Sequence, residues 1–70
     1  MSEGIAIELN GEAYRIEDGA TLDDLVRKLS LEKTRIAVEH NLAVVPRAEH
    51  PKKRLSAGDR VEIVTFVGGG

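Results

Sequence analysis

Asp59-Arg60-Val61-Glu62-Ile63-Val64-Thr65-Phe66-Val67-Gly68-Gly69-Gly70 closes the sequence of 70 residues, and Asp59 to Val67 reads as a strand. Side chains alternate across a strand, so Val61, Ile63, Thr65 and Val67 share one face and Glu62, Val64 and Phe66 the other. With Glu62 in water, Val61 and Ile63 face a core. Val64 and Phe66 then stand on the open side of the sheet. An aromatic and a β-branched residue there, beside the chain end, make a docking patch. The alternative is a twist or bulge that folds Phe66 inward, the usual place for Phe.

Gly68-Gly69-Gly70 has no side chain to bury and is costly to order. It reads either as a frayed or vector-derived end or as a probe. As a probe, three extended residues reach about 10 Å beyond the sheet. The segment is thin enough for a narrow tunnel and carries an ionised α-carboxylate at its tip. A carboxylate is a poor electrophile; adenylation would turn it into a mixed anhydride that a sulfur nucleophile can attack. The sequence offers no phosphate-binding Gly-Lys motif, no cysteine and no paired acid and base for that step, so such chemistry belongs to partner enzymes.

Upstream, Ile5-Ala6-Ile7-Glu8-Leu9 alternates like a half-buried strand. Asn10-Gly11 is a strong hairpin signal, because a type I′ turn needs positive φ at both positions. Glu12 to Ile16 returns, with Tyr14 and Ile16 on one face. Asp18-Gly19 ends the hairpin. Thr21 can cap a helix, with Asp24 three residues on. Leu22, Leu25, Val26 and Leu29 form one apolar stripe, which predicts a helix over about residues 22–30. Ile36 to Glu39 is a short strand, His40-Asn41 a turn, and Leu42 to Val45 the next strand, stopped by Pro46. Residues 46–58 read as polar loop. One hairpin, one helix and further strands predict an α+β fold: a mixed sheet of four to five strands with the helix packed across one face.

Composition narrows the function classes. Seventy residues make one domain with a thin core, and Tyr14 and Phe66 are its two aromatics. Hydrophobic residues are 41% and charged residues 31%, which fits a globular rather than a disordered chain. The absence of cysteine excludes disulfides, thiolate metal sites and a cysteine nucleophile. A formal net charge of −2 argues against general nucleic-acid affinity and suits a partner with a basic docking surface. No apolar run approaches the roughly 18 residues of a membrane span, and no leader is visible at Met1 to Gly4. The expected location is cytoplasmic. His40 and His50 lie too far apart in the sequence, with no cysteine near, to suggest a metal site. Lys52-Lys53-Arg54 reads as solvated loop.

Taken together, Asn10-Gly11, Thr21-Leu22-Asp23-Asp24-Leu25, Val45-Pro46-Arg47 and Leu55-Ser56-Ala57-Gly58-Asp59-Arg60-Val61-Glu62-Ile63-Val64 running into Phe66-Val67-Gly68-Gly69-Gly70 resemble the ThiS family. These are ubiquitin-like sulfur carriers of thiamine (thiazole) biosynthesis, and the resemblance covers nearly the whole chain. Many members carry Trp shortly after the Pro-Arg; here that stretch reads Ala48-Glu49-His50-Pro51, so no contact through an indole is implied.

The resemblance implies a ubiquitin-like β-grasp domain at residues 1–67 followed by a flexible glycine tail at 68–70. It implies a carrier rather than an enzyme, monomeric when free, with no catalytic residue, bound metal or cofactor of its own. The Gly70 carboxylate would be adenylated by a ubiquitin-activating-like adenylyltransferase using ATP and magnesium. It would then become a thiocarboxylate, with sulfur from cysteine through a desulfurase or sulfurtransferase, and thiazole synthase would accept that sulfur. Gly68 and Gly69 would thread the partner, and Val64, Phe66 and Val67 would touch it. Two other readings stay open: the small sulfur-carrier subunit of molybdopterin synthase, and a non-carrier β-grasp interaction module.

Overall fold

The computed structural model describes residues 4–66. Val67, Gly68, Gly69 and Gly70 lie outside the described residues, and with them the boundary between domain and tail. Five strands form one sheet: β1 (Ile5–Leu9), β2 (Glu12–Ile16), β3 (Ile36–His40), β4 (Ala43–Val44) and β5 (Arg60–Thr65). Their order across the sheet is β2-β1-β5-β3-β4. β1 and β5 are parallel neighbours at the centre, and the other pairings are antiparallel. This is the mixed sheet the sequence predicts.

The α-helix α1 (Leu22–Lys28) begins with a capping box. The Thr21 hydroxyl accepts from the Asp24 N–H at 3.1 Å, and the Asp24 carboxylate accepts from the Thr21 N–H at 2.9 Å. The helix stops short of residue 30 because Ser30 takes a φ of 61°. The Ser30 N–H then bonds the Arg27 carbonyl and the Leu31 N–H the Val26 carbonyl, a Schellman closure with serine where glycine is usual.

The apolar stripe of α1 meets the sheet. Leu22, Leu25 and Val26 share one buried cluster with Ile7, Ile16, Val38, Val61 and Ile63. Each fully buried aliphatic side chain contributes about 1.5–3 kcal/mol, which a domain this size needs.

Two expectations are corrected. The β3–β4 turn is Asn41-Leu42 rather than His40-Asn41, and β4 shrinks to Ala43–Val44. Residues 46–58 are not plain polar loop. They hold a 3-10 helix, Arg47–Lys52, and bury His50 and Leu55. Leu55 joins the core because its N–H bonds the Ala20 carbonyl, while the Leu22 N–H bonds the Lys53 carbonyl. The His50 Nε2 sits 3.1 Å from the Val45 carbonyl, so that nitrogen carries the proton and donates. Arg47 ties the same segment to the loop before β3, donating to the Glu32 and Thr34 carbonyls at 2.9 and 2.7 Å.

Candidate functional site: the carboxyl-terminal end of β5

β5 is built to be held along its length. On the β3 side its even-numbered residues make the ladder, with Glu62 opposite Glu39 and Val64 opposite Ala37. The Phe66 N–H continues it to the Arg35 carbonyl at 3.0 Å. On the β1 side the Asn10 N–H donates to the Val61 carbonyl. The Asn10 side chain then takes over where β1 ends. Its Oδ1 accepts from the Ile63 N–H at 2.8 Å and its Nδ2 donates to the Ile63 carbonyl at 3.3 Å, so one amide imitates a strand residue.

The strand's entry is fixed by Asp59. One carboxylate oxygen lies 2.7 Å from His40 Nε2 and accepts from the Ser56 N–H at 2.9 Å; the other accepts from Asn41 Nδ2 at 3.3 Å. Burial alone would raise the Asp59 carboxyl, but the hydrogen bonds from His40, Ser56 and Asn41 outweigh it and hold the group below its ordinary value. Asn41 also brackets Arg60, its N–H donating to the Arg60 carbonyl at 2.7 Å and its Oδ1 accepting from the Arg60 N–H at 2.8 Å.

With the strand so fixed, the period-two face assignment holds. Val61 and Ile63 are buried, and Glu62 is exposed. Val64 and Phe66 are 55% and 52% exposed on the side away from α1, so Phe66 does not fold into the core. Val44, 72% exposed on β4, stands opposite Glu39 on the same open side. The sequence did not single out Val44, because a strand from residue 42 to 45 left its face undetermined. Val64 and Phe66 are thus brought together with Val44 on one surface, whereas Val67 and the three glycines lie beyond the described residues.

Among the described residues no group of three or more His, Cys, Asp or Glu side chains could hold a metal ion. His40 is engaged with Asp59 and His50 with Val45. No helix of the described residues is long and apolar enough to cross a membrane. A groove lined by Asp18, Gly19, Asp24, Arg27 and Lys28 opens near the start of α1, at the end of the sheet opposite Phe66.

Known proteins share this sequence and fold. The family model described as ThiS family matches residues 3–70. A sulfur carrier protein ThiS of Bacillus subtilis is 34% identical over 65 residues, covering 91% of this chain and 98% of that protein. A thiazole synthase of Magnetococcus marinus is 42% identical over 64 residues, 91% of this chain but 20% of its own length. One from Paramagnetospirillum magneticum is 36% identical over 62 residues, 89% and 19%. The chain therefore spans about a fifth of the length of these synthases. The crystal structure of a thiamine biosynthesis protein (ThiS) from Geobacter metallireducens superposes with a TM-score of 0.79 at 25% identity, over 94% of this chain and all of that one. Fold and sequence agree over nearly the full length, and the chain belongs to the ThiS family.

Proposed function

We propose that this chain is a sulfur carrier protein of thiazole formation in thiamine biosynthesis, with its chemistry confined to the Gly70 carboxylate. The observation that carries this reading is the extent of the family match, which runs through residue 70 and so includes the terminal glycines. The two synthase relatives add support, since each contains a segment similar to this chain within a much longer protein.

The role of the fold is mechanical and steric. β5 delivers the chain end from the centre of a sheet, and Val64 and Phe66 give a partner an apolar surface beside that end. Gly68 and Gly69 pass where side chains would not. A ubiquitin-activating-like adenylyltransferase, using ATP and magnesium, joins the Gly70 carboxylate to AMP and releases pyrophosphate. A persulfide that a desulfurase or sulfurtransferase has loaded from cysteine then displaces AMP to give an acyl disulfide, and a thiol reductant cleaves its S–S bond to leave the thiocarboxylate. Thiazole synthase takes up the sulfur. The chain contributes no catalytic residue to either step; it has no cysteine to relay sulfur and depends on its terminus alone.

Intact-mass spectrometry tests this. Incubation with the adenylyltransferase, ATP and a sulfur donor is expected to add the mass difference between sulfur and oxygen, and deletion of Gly70 to abolish the gain. An unchanged mass with active partner enzymes overturns the proposal. Transfer to thiazole synthase, and not to the large subunit of molybdopterin synthase, separates the thiamine role from the molybdopterin role.

A further inference from the structure

The backbone of β5 is asymmetric near its end. Even-numbered residues direct their N–H and C=O groups to β3, as the Phe66–Arg35 bond and the Val64–Ala37 pairing show. Odd-numbered residues direct theirs the other way, as the bonds of Val61 and Ile63 to Asn10 show. Thr65 is the next odd-numbered residue. By that alternation its N–H and C=O leave the sheet on the β1 side, but β1 has already turned away at Asn10-Gly11. Among the described residues no hydrogen bond reaches the Thr65 backbone on that side, and the residue is exposed.

We infer that the β1-side edge of β5 at Thr65 is a strand-addition site that receives an extended backbone segment of thiazole synthase. The inference rests on the carrier reading above and specifies how that partner grips the chain. An N–H and a C=O on one strand edge are matched by the complementary pair of another extended chain. The Asn10 amide closes the slot on one side by occupying the Ile63 position, so an added segment begins its pairing at Thr65. Val64 and Phe66 flank the slot on the open face, making the added strand continuous with the proposed apolar contact. The path to Gly70 also starts here: an enzyme that admits the terminus must surround this stretch, because five extended residues span only about 17 Å.

The test uses two full-length variants and one measurement on the wild type. Thr65→Pro removes the one N–H at issue, and proline is tolerated on a strand edge where that N–H faces outward. Thr65→Val keeps the N–H and nearly the same side-chain shape. Titration against thiazole synthase is expected to show Thr65→Pro binding about tenfold more weakly, the worth of one lost hydrogen bond, and Thr65→Val binding like wild type. Amide exchange on the wild-type chain needs no variant to fold: the Thr65 N–H is expected to exchange rapidly in the free protein and slowly in the complex. Equal binding by the two variants, or equal Thr65 exchange free and bound, overturns the inference. If wild-type carrier binds the synthase and transfers sulfur while Thr65 stays unprotected, only the strand-addition site falls. If it does not bind at all, the carrier reading falls and this site with it.

Discussion

The two hairpins use the same turn with different residues. In β1–β2 the turn is Asn10-Gly11, with φ of 50° and 86°; in β3–β4 it is Asn41-Leu42, with φ of 51° and 74°. Glycine at the second position carries no steric penalty for positive φ, whereas an L side chain there costs about 1–2 kcal/mol. Room for a side chain is not what distinguishes them, since a Cβ on Gly11 would meet nothing within 4 Å. Leu42 is 73% exposed, so burial does not compensate either. The compensation lies next door: Asn41 makes three bonds to Asp59 and Arg60, and Asp59 in turn holds His40 and Ser56. Each turn is tied to β5 by an asparagine that makes three bonds; what differs is that the second turn carries an L side chain at positive φ in its second position and has Asp59 as an added anchor. Both asparagines also reach β5, Asn10 at Ile63 and Asn41 at Arg60, so the strand is gripped near each end from opposite sides.

Four substitutions probe this contrast. Asn10→Ala should do the most damage, because it strands both backbone groups of Ile63 and leaves alanine at positive φ. A loss of about 2–3 kcal/mol is expected in denaturant unfolding. Asp59→Asn comes next, at about 2 kcal/mol near neutral pH, since the bonds lost are to a charged acceptor. It also changes the response to acid. The Asp59 carboxyl is held below its ordinary value in the fold, so the stability it contributes is complete above the ordinary carboxylate value and is lost as pH falls through the lower folded one. Thermal melts below about pH 4 should therefore fall less steeply for Asp59→Asn than for wild type.

Gly11→Leu would make the first turn resemble the second without the Asp59 anchor. It should cost about 1.5 kcal/mol, or roughly 6–12 °C in melting temperature. The reverse change, Leu42→Gly, should have the smallest effect and the opposite sign, stabilising by about 1 kcal/mol. If Leu42→Gly destabilises instead, the second turn depends on its leucine in a way the tertiary bonds do not explain.

The same contrast decides what was legible in the sequence. β1, β2 and their turn are found where the alternation and Asn10-Gly11 place them, and the Thr21–Asp24 cap fixes the start of α1. The open-face placement of Val64 and Phe66 follows from period two alone, because β5 has neighbours on both sides and does not slip. What escaped were residues whose conformation is set from elsewhere in the chain. Leu42 and Ser30 adopt positive φ without being glycine, which shifts a turn by one residue and shortens a helix. Leu55 and His50 are buried within a polar stretch, and isolated apolar residues carry no period. His50 is a buried ring whose N–H is used by the Val45 carbonyl. Val44 joined Val64 and Phe66 only once the turn had set the register of β4.

The central position of β5 has a mechanical consequence. A load applied at the carboxyl-terminal end runs along a strand with neighbours on both sides. The bonds to β3, β1 and Asn10 lie across that direction, so they resist sliding together instead of parting one at a time. An edge strand pulled outward would peel. Here a tug on the terminus is shared by the whole ladder, and the scaffold keeps its shape under it.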